Sequence, residues 1–92
     1  MDKVRKRDRL EVIHDILKII HDHQNSIRAT PLLRRSNLSS QSFAEYYAEL
    51  MSKGLIKEVD SNGKKYISLS DKGFAFLDKY KLILGFIDEF EL

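Results

Sequence analysis

A chain of 92 residues is one domain's worth, and a domain that small gains from a partner subunit. Its 42% hydrophobic and 33% charged residues suit a globular chain and exclude a disordered one. The lack of cysteine excludes a disulfide framework and any thiolate metal site, and it suits a reducing interior. The net charge of +2 is unevenly spread: residues 1–35 hold nine Lys/Arg against five Asp/Glu, and residues 36–92 hold seven against nine. A basic first part and an acidic tail imply a polyanion partner from which the tail is kept away.

Apolar runs such as Leu82-Ile83-Leu84 are far short of a membrane span. No apolar core follows the charged stretch from Asp2 to Arg9, so no signal peptide is expected and a cytoplasmic location is.

In chain order, Asp8 and Glu11 form a capping pair opening a first helix over residues 8–23. Leu10, Ile13, Leu17 and Ile20, with Val12, Ile16 and Ile19 beside them, are its apolar stripe. Ser26-Ile27-Arg28 reads as a short extended segment. Thr30 as N-cap and Pro31 as first helical residue predict a second, short helix to Ser36. Asn37-Leu38-Ser39 breaks it. A third helix runs from Ser39 or Ser40 to Lys53, with Gly54 as its left-handed cap. Its inward set is Phe43, Tyr47 and Leu50, which leaves Ser39, Ser40, Gln41, Ser42, Glu45 and Glu49 facing outward.

Residues 55–59 and 64–69 read as strands around a turn at Asp60-Ser61-Asn62-Gly63, whose Asn-Gly supplies the positive φ a hairpin needs. Ser70 caps a last helix from Asp71 to at least Leu84, with Asp71 in the first turn where negative charge suits the dipole. That helix has two apolar stripes. Phe74, Leu77 and Leu84 would pack on the domain's own core. Phe76, Tyr80, Ile83, Ile87 and Phe90, at spacings of 4-3-4-3, form a coiled-coil seam and a candidate dimer interface. Gly85 is a place for a kink, and a separate final segment over residues 86–92 is the alternative.

Three pieces carry a family resemblance over residues 8–84: Asn37-Leu38-Ser39, the stretch from Leu50 through Lys53-Gly54 to Ile56, and Tyr66-Ile67-Ser68-Leu69-Ser70-Asp71-Lys72-Gly73. The third, a strand ending in a hydroxyl cap before a Lys-Gly pair, is the most specific. With this order of elements, the chain resembles the short archaeal winged-helix DNA-binding proteins and regulators that dimerise through a long C-terminal helix. The expected fold is α+β: one domain over residues 1–92, with a three-helix core and β-hairpin wing over 8–70 and a dimerisation helix over 71–92.

The resemblance implies a homodimer on double-stranded DNA, with the third helix in the major groove and the hairpin on the backbone. Ser39, Ser40, Gln41 and Ser42 can exchange hydrogen bonds with base edges and phosphates. Arg28, Arg34 and Arg35 around the second helix, and Lys64 and Lys65 in the wing, can reach phosphates on either side. Glu45 and Glu49 oppose this, and no arginine lies on the third helix, so weak sequence specificity is expected. Those acidic residues also leave open a winged helix that binds a protein instead of DNA. Lys3, Arg5, Lys6, Arg7 and Arg9 read equally as a backbone-contacting arm or as a solvated helix start.

His14, His21 and His23 read as polar surface groups, because seven residues of helical rise, about 10.5 Å, separate His14 from His21. No Gly-rich phosphate loop or nucleophile elbow is present. No cofactor, metal or catalytic residue is therefore expected.

Overall fold

The computed structural model of the chain describes residues 7–91. Six elements follow one another: α1 (Arg9–Asp22), α2 (Ala29–Ser36), α3 (Ser40–Ser52), β1 (Ile56–Ser61), β2 (Lys64–Leu69) and α4 (Asp71–Glu89). This is the winged-helix arrangement with a C-terminal helix. The strands pair antiparallel, from Ile56 opposite Leu69 to Ser61 opposite Lys64. Asn62 and Gly63 close the hairpin with φ of +53° and +76°. Two successive positive φ values give a turn whose twist matches that of the strands.

The core lies where α1, α2, α3 and the hairpin meet. Val12, Ile13, Ile16, Leu17 and Ile20 of α1 are buried against Ile27, Leu32, Phe43, Leu50, Leu55, Ile56, Ile67 and Leu69. Asp8 and Glu11 make the reciprocal cap of α1, with Glu11 N–H donating to Asp8 Oδ1 at 2.8 Å and Asp8 N–H to Glu11 Oε1 at 3.2 Å. Leu10, expected in the buried stripe, is exposed. It shares the face of Leu17 but sits in the first turn, before the first residue buried along α1, Val12.

The extended segment after α1 is held by two reciprocal bonds, Ile27 N–H to Ile67 O at 3.2 Å and Ile67 N–H to Ile27 O at 2.8 Å. Asn25, at φ +59°, secures the same edge. Its Oδ1 accepts from Leu69 N–H at 2.6 Å, and its carbonyl accepts from Ser68 Oγ at 2.7 Å.

The second helix begins earlier than expected. Ala29 is its first residue and Arg28 occupies the N-cap position without a side-chain cap. Thr30 is thus not the cap, and Pro31 is the third helical residue. Proline fits there because the first-turn N–H groups have no intrahelical acceptor to lose.

The start of α4 shows what the Ser-Asp-Lys-Gly piece does. Ser70 Oγ accepts from Gly73 N–H at 3.1 Å and donates to Gly54 O at 2.5 Å. Lys72 Nζ donates to Lys53 O at 2.8 Å. Gly73 leaves room for a backbone carbonyl, since a Cβ there would lie 2.3 Å from Leu55 O. Cap, lysine and glycine together fasten α4 to the end of α3. From there α4 runs through Gly85 to Glu89 as one helix, without a separate final segment.

Of its expected core stripe, Leu77 packs on the core, whereas Phe74 and Leu84 stay largely exposed. Phe76 also packs on the core, and Tyr80 stacks on His14 of α1 with ring centroids 4.3 Å apart. Among the described residues, no helix is long and apolar enough to cross a membrane.

Candidate nucleic-acid interface

Ser39 opens α3 by accepting from Ser42 N–H at 3.1 Å. Among the described residues its hydroxyl proton has no acceptor, which leaves it able to donate outward. Burial of Phe43 and Leu50 turns the opposite side of the helix to solvent, so Ser39, Ser40, Gln41, Ala44 and Glu45 are exposed while Ser42 is half-buried. The Asn37-Leu38 turn, with Asn37 left-handed at φ +61°, sets the last turn of α2 beside the first turn of α3. That last turn carries exposed Arg34 and Arg35. Cations there also favour the C-terminal end of the α2 dipole, a role needing no ligand.

Between α2, α3 and the hairpin lies an open cleft of about 630 Å³. Arg28, Thr30 and Pro31 form one wall, Phe43, Ala44 and Tyr47 the second, and Glu58, Lys65 and Ile67 the third. Arg28 holds its guanidinium 5.6 Å from the centre of the Tyr66 ring. Tyr47 donates its phenolic hydrogen to Glu58 Oε2, and Lys65 Nζ lies 3.5 Å from Glu58 Oε1. The Tyr47 hydrogen bond, with Lys65 next, holds the Glu58 carboxyl below its ordinary value of 4.5. Burial, then the same hydrogen bond and carboxylate charge, pushes the Tyr47 phenol up.

The expected cations are not equivalent. Among the described residues, Arg28, Arg34, Arg35 and Lys64 form no ion pair, while Lys65 is paired with Glu58. Glu49, expected to face outward, is half-buried and pairs with Arg9 of α1, with Lys53 Nζ 3.6 Å away. One of the two carboxylates thought to oppose an anion is therefore neutralised within the fold. Glu45 stays exposed.

For the N-terminal cations, Arg7 donates to Asp15 Oδ2 at 2.9 Å and to Ser36 O at 2.9 Å. Arg7 and Arg9 thus tie α1 to α2 and α3. Lys3, Arg5 and Lys6 lie outside the described residues. Of the histidines expected at the surface, His14 departs, its side chain only 21% exposed beneath Tyr80, whereas His21 is exposed and meets the Phe74 ring edge-on. Among the described residues no His/Asp/Glu group could hold a metal ion.

Of these pairings, one had a signal in the sequence. An Asn-Gly two-residue hairpin fixes the register, which puts Glu58 and Lys65 diagonally across one face. Tyr47 to Glu58, Arg9 to Glu49 and Arg7 to Ser36 depend on how separate elements pack, and nothing local announces them.

The chain belongs to the winged helix-turn-helix family, whose model matches residues 6–86. Its fold is similar to that of Sso10a-2, a DNA-binding protein from Sulfolobus solfataricus (TM-score 0.73, 15% identity, 92% of this chain and 86% of that one). It is also similar to F93 from STIV, a winged-helix DNA-binding protein (TM-score 0.71, 15% identity, 86% of this chain and 91% of that one). The PcaV transcriptional regulator from Streptomyces coelicolor matches 85% of the chain at 16% identity and TM-score 0.71, and there the chain spans only 59% of the other protein. No curated protein sequence matches the chain.

Proposed function

We propose that this chain binds duplex DNA as a homodimeric regulator or small architectural protein. The observation carrying this is a set of cations in no ion pair among the described residues: Arg34 and Arg35 in the last turn of α2, Arg28 lining the cleft, and Lys64 in the wing. Phosphates can take those charges while Ser40 and Gln41 meet base edges. Two proteins of similar fold are described as DNA-binding, which supports the same reading. Without an arginine on α3, the bidentate guanine contact is missing from that helix, so backbone and shape dominate over base readout.

Dimerisation through α4 is the second part of the proposal. Ile83, Ile87 and Phe90 are 55%, 40% and 56% exposed and continue the stripe that Phe76 and Tyr80 begin. A seam at spacings of 4-3-4-3 is complementary to its own copy. A dimer would set two α3 helices on successive turns of one DNA face.

Titration of random-sequence duplex at two salt concentrations tests DNA binding. Affinity should fall steeply with salt, because each neutralised phosphate releases counterions. Absence of binding at low salt would refute it. Sedimentation at micromolar concentration tests the dimer: a mass of 10.8 kDa, that of one chain, would remove it.

A further inference from the structure

The two wing lysines differ in a way that their adjacency in sequence hides. Lys64 pairs across the hairpin with Ser61 and Lys65 with Asp60, so their side chains leave opposite faces of the ribbon. Lys65 turns to the cleft and lies 3.5 Å from Glu58 Oε1. The other oxygen of Glu58 accepts the Tyr47 hydroxyl. Among the described residues Lys64 has no carboxylate partner. Glu58 thus places a fixed negative charge in a cleft whose other cation is Arg28, where a DNA backbone crossing between α3 and the wing would bring a phosphate.

We infer that Glu58 is a built-in competitor for the DNA backbone, occupying Lys65 in the free protein and giving it up when a phosphate arrives. This deepens the DNA-binding reading and rests on it. A phosphate that takes Lys65 must displace an existing ion pair and approach a carboxylate, whereas one that takes Lys64 meets a solvated cation. The wing therefore contributes less affinity than its charge suggests. Tyr47 makes the carboxylate persistent: its hydrogen bond anchors Glu58 to α3, so the side chain cannot simply swing into solvent when the phosphate comes. Glu58 in this sense is a positioning residue for Lys65.

Glu58→Gln separates charge from shape, because the amide oxygen still accepts from Tyr47. Binding to a random-sequence duplex is measured at several salt concentrations for wild type, Glu58→Gln, Lys65→Ala and the double variant, with melting temperatures as a folding control. Glu58→Gln should tighten binding about two- to fivefold at low salt, the scale of an exposed ion pair. Its dependence of log affinity on log salt should steepen by about one phosphate contact. On the Lys65→Ala background most of that gain should vanish. Unchanged affinity in Glu58→Gln, or an equal gain with and without Lys65, overturns the inference while leaving DNA binding intact. If the wild-type chain does not bind duplex at any salt, the DNA-binding reading falls and takes this one with it.

Discussion

The two surfaces on which the function proposal rests, the α3–wing face and the end of α4, are both open to solvent, and they are open in opposite ways. On α3 the side away from Phe43 and Leu50 carries Ser40, Gln41 and Glu45, groups that water satisfies until a polar partner replaces it. Past Tyr80, α4 presents Leu82, Ile83, Leu84, Phe86, Ile87 and Phe90 to solvent. Its first turns are seated by Gly73, Phe76 and Leu77; among the described residues, nothing buries its last turns. A helix apolar around most of its circumference is stable when another body covers it. The contrast teaches that the same degree of exposure implies an exchange of hydrogen bonds and charges at one site and apolar burial at the other. Salt should act on the first surface and hardly on the second.

The largest effect is expected at the α4 end. Burying an Ile side chain against a partner contributes about 1.5–3 kcal/mol, so Ile83→Glu with Ile87→Glu should leave only monomers in sedimentation and weaken DNA binding through loss of the second half-site. A dimer that survives both charges would move its interface away from α4. Next comes Gly73→Ala, which forces a Cβ towards Leu55 O and should cost about 1–3 kcal/mol in denaturant unfolding. That cost belongs to the seated end of α4. An unchanged midpoint would mean that the docking is loose.

On the α3–wing face, Lys64→Ala should weaken DNA binding and lower the salt dependence by about one contact without shifting the melting temperature. Unchanged affinity would take Lys64 out of the interface. Glu45→Gln should bind equally or slightly more tightly, since it removes repulsion without removing a donor. Loss of binding there would make Glu45 a direct reader of a cytosine amino group and reverse the assigned orientation.

The smallest effect concerns acid. Asp22, hydrogen-bonded first by Lys18 and then by His21, and Glu58 both have lowered carboxyl pKa values. Their stabilisation is therefore complete above the ordinary carboxylate range and is lost as pH falls through the folded values. The melting temperature should show no loss from these two groups between pH 7 and about 5, and a shallow decline attributable to them below about pH 4. Removing the pairs with Asp22→Asn and Glu58→Gln should flatten that decline, and an identical decline in the double variant would assign the acid sensitivity elsewhere.

Much of the fold was legible because its signals are short-range. The Asp8–Glu11 cap, the Asn62-Gly63 turn, Gly54 after α3 and Ser70 before α4 each act within a few residues, and the apolar periods of α1 and α3 identify the faces they bury. Tertiary packing decided the rest. The start of α2 moved to Ala29 because proline is tolerated anywhere in a first turn. Glu49 left the outer face because α1 brings Arg9 to it. Phe76 and Tyr80 share a stripe with Ile83 and Ile87, yet among the described residues only the first two lie against the rest of the chain, because α4 runs antiparallel to α1 and continues past its first turn. Periodicity determined which residues of α4 share a stripe; how far α1 reaches along it determined which of them stay exposed.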